Sequence, residues 1–152
     1  MTIRVWVRRR MSEVGGDRGS YALETAVLAP VMISLLLLMV AFGRVTDAEG
    51  AVDAAARAAA RAASLERDAG EAQSQGRAAA SRSLEGEGIT CQASSVSVDT
   101  SGYALDTGVA ANVTATIACT ANLSDIGLPG LPGSKTLTAS WTSPIDTHRG
   151  RQ

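Results

Sequence analysis

Glu24 stands immediately before an uncharged stretch from Thr25 to Phe42, and among the acidic residues of this 152-residue chain it is the one whose position most needs a partner. A charged side chain costs about 2.5 to 3.5 kcal/mol at the centre of a bilayer and less near the interface. A carboxylate at the rim of an apolar helix therefore calls for a counter-charge. Gly19 and Ser20 lie just upstream, with Glu24 four residues beyond Ser20. A cut after Gly19 would give Ser20 a new α-amino group and make Glu24 the fifth residue of the shortened chain. The amine of one chain can then neutralise the carboxylate of its neighbour. That chemistry is ion pairing between subunits, and it needs no catalysis.

The remaining reactive residue types are sparse. Cys91 and Cys119 both follow the apolar stretch. Outside the cytoplasm they can form a disulfide, which would stabilise the fold by roughly 3 to 4 kcal/mol in the chain-entropy view; two unpaired buried thiols are the alternative. His148 is the single histidine and sits in a polar tail, so no Cys/His cluster has zinc-site spacing, and no metal or cofactor is expected. Neither a phosphate-cradling glycine loop nor a nucleophile elbow is present. Asp99 and Asp106 flank a loop where turn formation is the default role and weak cation binding the alternative. Asn112-Val113-Thr114 and Asn122-Leu123-Ser124 match the glycosylation pattern, a match common by chance. These absences argue against an enzyme and against a small-molecule substrate.

The elements that position Glu24 follow from the apolar run. The 18 residues from Thr25 to Phe42, wound as a helix at about 1.5 Å per residue, reach about 28 Å with one flanking residue, close to the hydrocarbon thickness of a membrane. Arg4, Arg8, Arg9, Arg10 and Arg18 precede the run, whereas Arg44, Asp47, Glu49 and Asp53 follow it. The positive-inside rule then leaves the N-terminus in the cytoplasm and sends the rest across. A secretory signal cut after Gly50 competes with this reading, but the apolar run exceeds the usual length, and a polar spacer separates it from the basic cluster. A twin-arginine signal at Arg8-Arg9-Arg10 lacks the apolar residues that should follow closely. A plain membrane anchor is the simplest alternative, although it has no use for Glu24. Beyond Gly19 the formal charge is −4, so that part is not a nucleic-acid binder by charge.

Asp17-Arg18-Gly19-Ser20, Glu24, Pro30 and the Leu-rich run ending in Phe42-Gly43-Arg44 together resemble the TadE-like proteins. These are minor pilins or pseudopilins of tight-adherence (Flp-type) pilus systems, within the type IV pilus superfamily. The resemblance covers about Asp17 to Arg44, and the rest of the chain only in layout. It implies that Gly19 ends a leader removed by a membrane-embedded prepilin peptidase, that Ser20 begins the mature chain and that Glu24 is its position-five acid. It further implies other pilins and assembly-platform proteins as partners. Ser20 departs from the large apolar residue many pilins carry there, and some relatives act uncut. Met11 offers a second start that would shorten the leader. Pro30 removes one backbone hydrogen bond; it is either a simple kink or a place where the helix loosens on packing.

Beyond Arg44 the helix is expected to continue into an Ala-rich stalk over 45–85, because alanine is the best helix former and the stretch lacks proline. Val45, Val52, Ala56, Ala59 and Ala63 fall on one thin face, and Asp53 and Arg57 stand in the favourable i, i+4 order. Gly70 and Gly76 are the expected interruptions, with a second short helix over 77–84; a solvated spacer past Leu65 is the alternative. Gly86 and Gly88 then open a small β domain over 86–145. Val113, Ala115, Ile117 and Cys119 alternate with polar residues, as do Leu137, Ala139 and Trp141. In the first run Ile89, Cys91 and Ala93 share one face but Val96 and Val98 the other, so a bulge is expected near Ser94 and Ser95. Pairing Cys91 opposite Cys119 makes an antiparallel meander whose single apolar face must rest on the stalk or on another subunit. The Gly127–Gly133 stretch, GLPGLPG, reads as successive turns, and the polar end from Ser143 through the 146–152 tail as loose. The expected whole is an α+β chain: a leader (1–19), a transmembrane segment (20–44), the stalk, the sheet and the tail.

Overall fold

The computed structural model describes residues 18–126, 130 and 132–148; the leader before Arg18, most of the GLPGLPG stretch and the last four residues lie outside them. The element order is α1 (Arg18–Ser64), α2 (Ala69–Gly86), β1 (Ala93–Asp99), one 3-10 turn (Ser101–Ala104), β2 (Ala111–Asn122), the single turn α3 (Leu123–Ile126) and β3 (Ser134–Ile145). The fold is α+β, with a long apolar helix followed by a second helix and a three-stranded antiparallel sheet. Two compact units make up the chain, 1–40 and 41–152.

In the first unit α1 is apolar on every side. Val27, Leu28, Val31, Met32, Ile33 and Leu35 to Val40 are all exposed. Among the described residues this is the one helix long and apolar enough to cross a membrane, and none of its apolar window is buried against protein. A helix that is apolar all round with no protein against it has lipid as its natural solvent.

In the second unit a single core joins both helices to the sheet. From α1 it takes Ala48, Val52, Ala55, Ala56, Ala59, Ala60 and Ala63, and from α2 Ala72, Ala80 and Leu84. The sheet contributes Val98, Val113, Ala115, Ile117, Cys119, Leu137 and Ile145. The alanines bury little area each, so their use is geometric: short side chains let backbones come close and keep contacts dense. The sheet order is β1-β2-β3, with both pairings antiparallel. Along β2 every second residue from Ala111 to Ala121 is buried, the expected period of two. The outward face is a row of hydroxyls, Thr114 with Thr142, Thr116 with Ser140 and Thr120 with Thr136, each pair 2.9 to 3.0 Å apart.

Four local expectations are corrected. The helical region breaks at Leu65 to Asp68, not at Gly70 or Gly76, because the Asp68 carboxylate accepts the N–H groups of Gly70 and Glu71 and so starts α2. Gly76 lies inside α2 and is buried, since a Cβ there would meet Val98 Cγ2 at 3.0 Å, the Ala59 carbonyl oxygen at 3.3 Å and Ala63 Cβ at 3.4 Å. β1 has no bulge: its register runs unbroken from Ala93 opposite Thr120 to Asp99 opposite Thr114. The change of face falls before the strand, where Ile89 and Cys91 lie in the lead-in segment. Finally, Ser143 to Ile145 belong to β3 rather than to a loose end, with Ser143 and Ile145 buried. Pro144 is accommodated because β3 is an edge strand.

Candidate functional site

Glu24 is exposed on α1 at the edge of the apolar stretch, and Pro30 lies inside the same helix without ending it. Proline has no N–H to give the Ala26 carbonyl. One turn later the Ser34 hydroxyl bonds back to the carbonyl oxygens of Pro30 (2.7 Å) and Val31 (2.9 Å), which hides a polar side chain from an apolar solvent. Gly19 and Ser20 are in the first turn of α1. The helix thus carries Gly19, Ser20, Glu24 and Pro30 in one rod of apolar surface.

Residues 19–61 match the family of TadE-like proteins. The TadE-like segment takes in Gly19, Ser20, Glu24, Pro30 and the whole exposed apolar stretch, and it continues through the buried alanines as far as Arg61. It covers less than half of the chain, and α2 and the sheet lie outside it. No curated protein and no solved structure matches the chain.

The disulfide joins Cys91 to Cys119, with Cα atoms 5.4 Å apart. Cys119 does not face Cys91 in the ladder, however. Ser94 is the residue opposite Cys119, and Cys91 reaches it from the segment leading into β1, where the Gln92 N–H donates to the Thr120 carbonyl at 2.8 Å. The bridge therefore clips the segment between α2 and β1 onto the central strand.

Among the described residues no group of three or more His, Cys, Asp or Glu side chains converges. The Asp99 carboxylate accepts the Ser101 N–H at 2.9 Å. The Ser101 backbone bond, aided by the Ser101 side chain and slightly opposed by desolvation, holds the Asp99 carboxyl below its ordinary range. This is a turn stabilised by its own aspartate. His148 is almost fully exposed beside Asp146.

Two features escaped the sequence reading. Tyr103, in the loop between β1 and β2, is buried, and its hydroxyl donates to the Ala63 carbonyl oxygen at 2.5 Å and lies 3.1 Å from that of Glu66. The adjacent Gly102 is needed because a Cβ there would run into the Asn112 carbonyl oxygen. A lone aromatic in a polar loop was the one available signal. Trp141, read as an inward strand residue, remains 43% exposed, with the Arg57 guanidinium 4.6 Å from its ring centroid. Arg57 is itself paired with Asp53 on the preceding turn.

Proposed function

We propose that this protein is a minor pilin or pseudopilin that takes part in assembling a tight-adherence (Flp-type) pilus through its membrane helix. The observation that carries the reading is the TadE-like match over residues 19–61, the part of α1 that combines Glu24 with an exposed apolar rod. The segment over 20–44 spans the membrane, with the arginine-rich leader (1–19) cytoplasmic and the remainder outside. An extracytoplasmic location also suits the Cys91–Cys119 disulfide.

In the proposed mechanism a prepilin peptidase cuts after Gly19. The released Ser20 amine of one subunit pairs with the Glu24 carboxylate of another, so helices associate side by side in lipid. In a medium with no competing water such a pair is strong, and an unpaired carboxylate is correspondingly unfavourable. Pro30 supplies a place where the helix can adjust as it packs. The partners are other pilins and the assembly platform, and no reaction is catalysed by this chain.

Intact mass measurement on the protein purified from membranes tests the proposal. A chain beginning at Ser20 is the expected result. A chain that retains its leader and stays single in the bilayer overturns it and leaves an anchored binding protein, while a cut after Gly50 indicates a secreted one.

A further inference from the structure

Within the unit 41–152, α1 carries an ordered ridge of charge. Glu49, Asp53, Arg57 and Arg61 follow one another at intervals of four residues, so they form one inclined row on the helix surface. The row reads acid, acid, base, base. Glu49, Arg57 and Arg61 are exposed and Asp53 is partly so. The ridge runs beside β3, because Lys135 reaches Glu49 at 2.8 Å, Trp141 lies under Arg57, and Ser143 bonds Ser64 at 3.0 Å. Those three contacts occur in the same order along both elements. Next to the basic end, Trp141 is 43% and Leu65 51% exposed, so large apolar surface accompanies the charges.

We propose that this ridge is the docking surface for a second copy of the chain, shifted along α1 by two helical turns. The inference rests on the pilin reading, since subunits that repeat head to tail in one orientation make heterologous contacts. Two ridges side by side in register would place acid against acid and base against base. A shift of eight residues, about 12 Å of helix, sets Arg57 of one copy against Glu49 of the next and Arg61 against Asp53. Both contacts then become attractive.

The pairs within one chain do not oppose this. Asp53 with Arg57 and Glu49 with Lys135 have side chains between 39% and 57% exposed, a setting in which an ion pair is weak and readily shared. Arg57 has five N–H donors and a carboxylate accepts several, so each group can serve a neighbour without abandoning its own partner. Among the described residues Arg61 makes no ion pair, and it borders a cleft with Leu65, Ser143, Ile145 and Asp146. It is the cation with most to gain from a neighbour's Asp53. Trp141 would be covered in the same step, giving the contact an aromatic anchor beside its charges.

Cross-linking of the full-length protein in its membrane tests the shift. Differently tagged copies carrying Glu49→Cys and Arg57→Cys are co-expressed, leaving the contact between Asp53 and Arg61 to hold the alignment. A cross-link between the two kinds of copy is expected, with none between two Glu49→Cys copies. Arg61→Glu in both copies should lower the yield about fivefold or more, and adding Asp53→Arg to the same chains should restore it. In about 1 M salt, where charges are screened beyond about 3 Å, the yield should also fall. A cross-link from Glu49→Cys to an Arg61→Cys copy in preference to the Arg57→Cys copy indicates a different shift and overturns the proposal; so does a yield indifferent to Arg61→Glu, or no cross-link in protein whose N-terminus is Ser20. An uncut N-terminus in the same sample strikes at the pilin reading separately.

Discussion

The Tyr103 hydroxyl donates to the Ala63 carbonyl oxygen at the last turn of α1, 40 residues away in sequence. Carbonyls at the end of a helix have no partner within it. Here the loop between β1 and β2 supplies one, so the point where α1 stops and the point where the sheet begins to fold back are tied together. Tyr103→Phe keeps the buried ring and removes only the donor. It should cost about 1 kcal/mol, read as a lowered midpoint in chemical denaturation of the detergent-solubilised protein.

At Gly76 α2 lies close against both α1 and β1. A leucine there has nowhere to go, with Val98, Ala59 and Ala63 all within 3.4 Å of where a Cβ would stand. Gly76→Leu should destabilise by about 1 to 3 kcal/mol. Gly76→Ala should have a much smaller effect, because the gain in helix propensity of about 1 kcal/mol offsets the crowding. The two variants measured side by side separate packing from backbone preference.

Removing the disulfide as the pair Cys91→Ala and Cys119→Ala frees a segment closed over 28 residues. The loss should be roughly 3 to 4 kcal/mol. Hydrogen exchange should show that loss first at the start of β1, where the bridge clips the lead-in segment to β2.

Glu24→Ala removes a side chain that touches no core. Membrane insertion and the thermal unfolding of the 41–152 unit should be unchanged. Co-purification with partner pilins should fall, and if it does not, the proposed pairing with a neighbour's Ser20 amine is wrong.

The Asp99 carboxyl is held below its ordinary range by the Ser101 N–H. A depressed folded-state value stabilises the fold above the unfolded carboxylate's ordinary range, and that contribution disappears as pH falls through the folded value. Asp99→Asn should therefore flatten the acid limb of the stability profile. Carboxyl chemical shifts followed through an acid titration should place Asp99 below a free aspartate.

The membrane helix was legible because its signal is composition over a single run: from Thr25 to Phe42 every residue is uncharged, and no tertiary contact is required to make that run apolar. The strands centred on Ile117 and Ala139 were legible for a similar reason, since a period of two is a local property. The breaks were harder. Gly70 and Gly76 look like helix breakers by propensity, but the carboxylate of Asp68 begins α2 before them, and Gly76 lies inside α2 where Val98, Ala59 and Ala63 leave little room for a larger side chain. Likewise the expected bulge in β1 arose from counting Ile89 and Cys91 as strand, whereas the disulfide holds Cys91 outside the ladder.

The sequence by itself thus determined what each stretch prefers as a solvent and as a local shape: a lipid-compatible rod with one acid at its rim, an alanine-rich helix and alternating strands. Only the tertiary structure decided where those pieces end and which faces meet, because Tyr103 reaching Ala63, Ser143 bonding Ser64 and Trp141 lying under Arg57 each join residues tens of positions apart. Propensity and hydropathy act within a few residues. Close approach between backbones, which the small side chains of Ala59, Ala63 and Gly76 allow, is a property of the folded whole.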